Sequence, residues 1–439
     1  MSKFILINSP VFWDSSKEDD DYLSPLGQGY IATQLEKEGL EVELLDAVKG
    51  RMSVENILNY VKINNPQYVG INIFTQNYSI VKHIVENVEF SGSVFVGGSA
   101  AKFLVEDILG WSCKNNCYII IGEGEYIIPS ICKHDCREQP TRIYNNKFVY
   151  CVTKDSIYFP ADISSEKLDR KFFSNELSLN HYGEKEAAII SSRGCVFDCA
   201  FCGGARSLNT DTIPRIRNEL SIVSEIQYIR DLYPDVASIR VLDDLFLRNQ
   251  ESFELAIRVF AHFHRLRWRG MAHVLPVKQS VDKLEDLRKS GCSELFIGIE
   301  SGSEKIREYI NKLGSCKDIL DVSRCILEHG IDLKGYFIFG FPGETENDYL
   351  ATYELASEIK NISSTTEGNF RTSVFQFRPY HGTRLYNELV KKNGMIQECI
   401  PNERINDAIG RSQFNFMSGN YSATDDDILY QYITKTQNL

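Results

Sequence analysis

From Lys3 to about Cys136, short apolar runs take turns with helix-like patterns: FILIN, then Gly27 to Glu38; VELL, then Met52 to Asn64; YVGINIF, then Tyr78 to Asn87; SVFVGG; and CYIIIGEGE. Alternation at this spacing predicts βαβ units, a parallel sheet with helices on both faces, and ligands at the carboxyl ends of its strands. Residues 1–140 therefore read as an α/β, Rossmann-like domain of five strands. A second alternation fills residues 187–392, with strands EAAIISS, ASIRVLDD, WRGMAHV, ELFIGIE, DLKGYFIFG and TSVFQFRP. Six parallel strands with crossover helices make an open sheet or a partial (β/α)6 barrel of TIM type, where chemistry gathers as strands give way to loops. Residues 141–186, with a hairpin expected on Asn145-Asn146, read as a linker, and the polar, weakly periodic residues 393–439 as a C-terminal lid or packing tail.

Charge narrows the partners. The chain carries 48 basic and 60 acidic side chains and no Lys/Arg-rich block, which argues against nucleic acid and for a small or neutral substrate. The one apolar run before Asn8-Ser9-Pro10 is too short for a signal-peptide core or a membrane span, so a cytoplasmic, membrane-free protein is expected. Twelve cysteines in that compartment do not suggest a disulfide framework. Spacing decides which of them ligate metal.

Three thiols fall close together after the first strand of the second alternation, in Ser192-Arg193-Gly194-Cys195-Val196-Phe197-Asp198-Cys199-Ala200-Phe201-Cys202-Gly203-Gly204. Thiolates select zinc and iron-sulfur clusters, but a structural zinc site closes with four ligands and no fourth Cys or His stands nearby. Three cysteines on a cube of four irons leave one iron open to a substrate's amino and carboxylate groups. The pattern C-x-x-x-C-x-aromatic-C after the first strand of a six-strand βα domain resembles the radical S-adenosylmethionine superfamily. That resemblance implies a 4Fe-4S cluster on Cys195, Cys199 and Cys202, and S-adenosylmethionine at the open iron.

Later strands continue the resemblance in order. Phe201 resembles the aromatic residue near the adenine, with shielding of the cluster as its plainer role, and Gly203 and Gly204 adjoin the cofactor. Leu242-Asp243-Asp244-Leu245-Phe246 is similar to the acidic pair that meets the methionine ammonium, or is a solvated loop. Gly298-Ile299-Glu300-Ser301-Gly302-Ser303 resembles the family's G-x-E-S-G segment, whose Glu and Ser reach the methionine carboxylate or the ribose. Gly340-Phe341-Pro342-Gly343-Glu344-Thr345 resembles the loop that turns backbone groups toward the adenine, and Phe377 to Thr383 a turn on the adenine side of the pocket. Related proteins often carry an Arg where this chain has His273, which reads either as a catalytic acid or base with a pKa near neutrality or as a satisfied core histidine.

The first domain resembles the cobalamin-binding subgroup of that superfamily. Pro25 to Tyr30 opens a helix, and Ile121-Gly122-Glu123-Gly124-Glu125 is very like the subgroup's V-x-G-E-G-E. Thr75, Gln76 and Asn77, Gly97, Gly98 and Ser99, and Gly122, Glu123 and Gly124 are expected to face a corrin, with surface-loop polarity as the alternative for the first two groups. The D-x-H-x-x-G cobalt-ligand motif is absent, since the chain reads Asp46-Ala47-Val48-Lys49-Gly50. Either cobalamin binds without a His ligand or the domain is a relic. Cys113, Cys117, Cys132 and Cys136 form two C-x-x-x-C pairs that match no zinc pattern. Cys316, Cys325 and Cys399 are candidates if the chemistry needs a hydrogen-donating thiol.

By resemblance, then, the chain generates a 5′-deoxyadenosyl radical with electrons from a flavodoxin or ferredoxin, and uses cobalamin to methylate carbon in a small metabolite or peptide natural product. The rival within the class is a radical epimerase, oxidative cyclase or rearrangement enzyme without methyl transfer. The rival outside it is a non-catalytic iron-sulfur or cobalamin carrier or sensor.

Overall fold

A computed structural model describes residues 3–11, 13, 22–174, 176–394, 398–401 and 416–439. The first part runs β1 (Lys3–Asn8), α1 (Leu26–Lys37), β2 (Glu41–Asp46), α2 (Val54–Asn64), β3 (Tyr68–Asn72), α3 (Tyr78–Asn87), β4 (Ser93–Gly97), α4 (Val105–Gly110), β5 (Cys117–Ile121), α5 (Ile127–Cys132), β6 (Arg142–Tyr144) and β7 (Lys147–Cys151). Its sheet has the order β2-β1-β3-β4-β5-β7-β6, with only β6 antiparallel. The hairpin expected on Asn145-Asn146 forms, and β7 pairs parallel to β5, so residues of the linker segment extend this sheet. Alternate residues along each strand feed two cores. Ile5, Ile71, Val96 and Ile119 pack under α2, α3 and α4, whereas Phe4, Leu6, Phe95 and Ile120 pack under α1 and α5. Strand order reverses between β1 and β3, which opens a crevice at the carboxyl ends of those strands.

The second part runs β8 (Ser178–Leu179), β9 (Lys185–Ile189), β10 (Ser192–Arg193), β11 (Arg215–Ile216), α6 (Glu219–Leu232), β12 (Ser238–Val241), α7 (Gln250–Ala261), β13 (Arg267–Ala272), α8 (Val274–Gln279), α9 (Leu284–Lys289), β14 (Cys292–Glu300), α10 (Glu304–Tyr309), α11 (Cys316–Glu328), β15 (Asp332–Phe339), α12 (Glu346–Ser363), β16 (Phe370–Gln376) and α13 (Arg384–Asn393). After it come the short strands β17 (Ile400–Pro401) and β18 (Phe416–Met417) and the helix α14 (Asp426–Gln437). Its sheet, β16-β15-β14-β13-β12-β9-β8, holds the six expected parallel strands and curls into a half-barrel. Apolar residues such as Ile239, Trp268, Leu295 and Phe337 face the helices, and α14 joins that core through Leu429, Tyr430 and Ile433. This part of the tail is a packing element. The other sheet face is polar near the strands' amino ends, where Arg269 binds Glu186 and Glu294, and Glu294 also binds Arg371. No helix of the described residues is long and apolar enough to cross a membrane.

Candidate functional site

The two sheets meet through their functional ends. Leu26, Tyr30, Leu168 and Phe173 pack together with Ala188, Ile190 and Leu242 at the junction. Above it lies a cavity of about 430 Å³ whose walls come from both parts. One side carries Gly27, Gln28, Asn72, Phe74, Gly97, Gly98 and the Gly122 to Glu125 turn, and the other Ile190, Ser192, Arg193, Leu242 and Asp244. A second cavity of about 260 Å³ adjoins it and is lined by Ser99, Gly194, Cys195, Gly203, Gly204 and Arg206. Glu123, Arg193 and Asp244 line both.

The cysteine loop leaves β10 and returns at β11, a ribbon in which Arg193 lies opposite Arg215. All three thiols are free, and burial pushes each up, that of Cys202 to about 12. The Lys312 ammonium opposes this at Cys199 and Cys195. Backbone N–H groups aim at the sulfurs, Phe197 N at Cys195 Sγ (3.5 Å) and Gly204 N at Cys202 Sγ (3.4 Å). Among the described residues no three Cys, His, Asp or Glu groups close on a single metal ion. Three thiols on one short loop are the donor set of a 4Fe-4S cluster with one iron left open. A Cβ on Gly204 would sit 3.7 Å from Cys202 Sγ and 4.0 Å from Asp244 Cγ, within the cradle between them.

The acidic pair divides its labour. Asp243 is buried and accepts from Ser191 N (2.7 Å), Ser191 Oγ (2.5 Å) and Ser192 Oγ (2.7 Å), so it braces the chain entering the cysteine loop and is not placed to meet an ammonium. Asp244 accepts from Gly194 N at 3.1 Å and lines both cavities, leaving it the member of the pair available to a ligand. Burial raises both carboxyls.

At the end of β14 the register with β15 slips, and Glu300 adopts φ +65°, a left-handed backbone that a residue with a side chain occupies at a cost. The slip turns its carboxylate onto Lys312, at 3.1 Å, with both side chains 9 % exposed. A Cβ on Gly298 would lie 2.3 Å from Glu300 Oε1 and 2.8 Å from Lys312 Nζ, so a side chain there would push the tips of this ion pair aside. Ser301 departs from expectation. Its hydroxyl meets Thr352 Oγ1 at 3.2 Å and accepts from Ser303 N at 3.1 Å, so it ties the strand end to α12 and does not reach toward a cofactor. In the next loop Glu344 accepts from Gly340 N (2.7 Å) and Phe341 N (2.9 Å), shaping the turn through Pro342, while Phe341 buries itself against Phe201 with ring centres 5.6 Å apart.

His273 corrects a second expectation. Its Nδ1 accepts from Leu275 N at 3.2 Å and caps α8, and its ring stacks on Phe197 with centres 3.9 Å apart. Burial first, then the Lys312 and Arg307 charges, lower its pKa to about 3. A buried ring held by stacking and by the bond from Leu275 N acts as a helix cap.

Of the residues expected at a corrin, Gly97, Gly98, Gly122, Glu123 and Gly124 line the larger cavity. Gly122, at φ +90°, tolerates no side chain, since a Cβ would meet the Val152 carbonyl at 2.3 Å. Thr75 and Gln76 do not line it. Thr75 Oγ1 instead accepts from His381 N at 3.0 Å, a contact between the two parts, and Asn77 turns inward to Phe74 N and Asn72 O. Ser99 faces the cysteine side. Asp46, where a cobalt-ligand motif would begin, lies in a separate depression with Tyr22 and Lys49, and none of the described residues lining the larger cavity is a histidine. Glycines with no side chain to intrude, an apolar floor of Leu6, Phe95 and Ile120, and the unpartnered Oε1 of buried Gln28 fit a flat ligand rich in amides. Cys113 and Cys117 belong to one core of the first sheet and Cys132 and Cys136 to the other, so the two pairs do not share a site.

Sequence reasoning missed Gln28, Asn72, Phe74, Lys312, Arg193 and Arg215. Arg193 stood inside the cysteine motif and Gln28 inside the first glycine motif, but nothing in their spacing marked them. Lys312 gave no signal before the Glu300 bulge was known.

Two family models match, the radical SAM superfamily over residues 189–356 and the B12 binding domain over residues 19–131. The chain is 24 % identical over 394 residues to an uncharacterized methyltransferase of Pyrococcus horikoshii, covering 85 % of this chain and 80 % of that one. It is 22 % identical to the cytidylyl-2-hydroxyethylphosphonate methyltransferase of Streptomyces wedmorensis, covering 84 % and 78 %. The fold is similar to that of TsrM from Kitasatospora setae, a radical S-adenosylmethionine methyltransferase solved with cobalamin and a 4Fe-4S cluster bound, at a TM-score of 0.63 and 18 % identity, covering 92 % of this chain and 78 % of that one. The chain thus carries a B12-binding domain ahead of a radical SAM domain, and is an enzyme whose cofactors are a 4Fe-4S cluster, S-adenosylmethionine and cobalamin.

Proposed function

We propose that this enzyme is a cobalamin-dependent carbon methyltransferase acting on a small metabolite or a peptide natural product, reduced by a flavodoxin- or ferredoxin-type donor. The observation that carries the reading is the shared wall: the glycine-lined cavity of the first part and the cavity beside Cys195 meet at Glu123, Arg193 and Asp244. When bound, the cluster and S-adenosylmethionine supply a carbon-centred radical, and cobalamin supplies a methyl group. Cys195, Cys199 and Cys202 would hold the cluster, and Asp244, the Glu300–Lys312 pair and the Gly340 to Glu344 turn would orient the cofactor beside it. Gly97, Gly98, Gly122 and Gly124 admit the corrin, and the apolar junction around Tyr30 and Leu242 keeps water from the space between. The methyltransferase names of the relatives support the same reading.

Anaerobic incubation with S-adenosylmethionine, hydroxocobalamin, reductant and a candidate substrate tests it. Methyl transfer yields S-adenosylhomocysteine alongside 5′-deoxyadenosine. 5′-Deoxyadenosine with a converted substrate and no S-adenosylhomocysteine would instead identify an epimerase, cyclase or rearrangement enzyme.

A further inference from the structure

All three cysteines hang from a narrow neck. β10 and β11 pair over two residues each, Ser192 with Ile216 and Arg193 with Arg215, and the loop of residues 194–214 lies between them. A ribbon this short has too few backbone bonds to fix a loop by itself.

The hold comes from the other sheet. Glu123, in the turn after β5, accepts from Arg193 Nη1 on Oε2 at 2.5 Å and from Arg215 on both oxygens, with Arg215 Nη1 at 3.2 Å from Oε2. One carboxylate thus grips both strands of the neck. Glu125 adds a second contact to Arg193 at 2.8 Å. Rings complete the mount, Tyr30 under Arg193 at 5.2 Å and Phe159 under Arg215 at 4.1 Å. The charges are shielded, with side-chain exposures of 16 % for Arg193, 18 % for Glu123 and 6 % for Arg215 and Glu125. Forked, charge-assisted bonds away from water fix orientation far better than exposed pairs do.

From its motif, Glu123 was expected to serve the corrin. We propose that it is instead a positioning residue for the cysteine loop, supplied by the cobalamin-type domain, and that the second glutamate of Gly122-Glu123-Gly124-Glu125 reinforces it through Arg193. The glycines of that turn make room in the cavity, and its carboxylates reach across to aim the cluster. The inference rests on the reading that the three cysteines hold a cluster.

Hydrogen exchange of the full-length protein without cofactors tests it, because that readout needs neither activity nor iron. In E123Q, amide exchange across residues 194–214 rises about tenfold or more, as expected for a lost charge-assisted bond, and E123D recovers part of the protection. Wild-type exchange over that segment in E123Q would overturn the proposal, and a fall in hydroxocobalamin affinity at the same time would return Glu123 to the corrin. Should E123Q fail to fold, R215K keeps the charge, loses the fork and gives the same two outcomes. Failure of the wild-type protein to take up iron would count against the cluster reading and leave the exchange result standing on its own.

Discussion

His273 illustrates how a single side chain changes meaning once its neighbours are known. Histidine at a strand end in a radical domain invites an acid-base role, yet here the ring is stacked on Phe197 and its free nitrogen lone pair closes the first turn of α8. H273N keeps a capping side chain and is expected to unfold in urea close to the wild type, whereas H273A loses about 1 kcal/mol. Neither variant introduces or removes an inflection in the activity profile between about pH 5 and 8, where an ordinary histidine would titrate. An inflection lost in H273N would restore the catalytic reading. Glu300 makes the complementary case: its motif was legible in the sequence, but its positive φ and its ion pair with Lys312 are products of the slipped β14–β15 register, which no local pattern records.

At the scale of elements, both strand-helix alternations were legible because period and apolarity write the buried face of a strand directly into the chain. The half-barrel's strands fall where those runs lie, as β14 shows with every one of its nine residues buried. What local pattern could not give is how loops brace one another. Asp348, in the first turn of α12, accepts from Thr345 N (2.9 Å), Thr345 Oγ1 (2.7 Å), Ser303 Oγ (2.6 Å) and Lys305 Nζ (3.2 Å), tying the Gly298 to Ser303 segment to the Gly340 to Thr345 turn. Burial raises this carboxyl, but those bonds outweigh it and hold the pKa at about 2. The depressed value means that its contribution to stability is full above the unfolded carboxyl's pKa of about 4 and is lost as pH falls through about 2. D348A is expected to cost about 1–3 kcal/mol in denaturant at pH 7 and to lose its disadvantage in acid. A constant difference from pH 7 down to acid would show that the carboxylate charge is not what joins the loops.

For the whole molecule, the arrangement of the two parts is the functional statement. Their sheets turn carboxyl ends toward a common space, and the glycine turn of one touches the neck of the cysteine loop of the other. Neither sequence alternation announces this, because contacts such as Thr75 to His381 join residues far apart in the chain with no shared periodicity. The proposed chemistry depends on the cluster at Cys195, Cys199 and Cys202. The most direct measurement is iron content and electron paramagnetic resonance of anaerobically reconstituted, reduced protein, wild type beside Cys199→Ala, with and without S-adenosylmethionine. Wild type is expected to hold a reduced 4Fe-4S cluster whose spectrum changes when S-adenosylmethionine is added and to form 5′-deoxyadenosine, and Cys199→Ala to lose the cluster signal and the product together. A Cys199→Ala protein that keeps the wild-type spectrum, its response to S-adenosylmethionine and its 5′-deoxyadenosine would contradict the account.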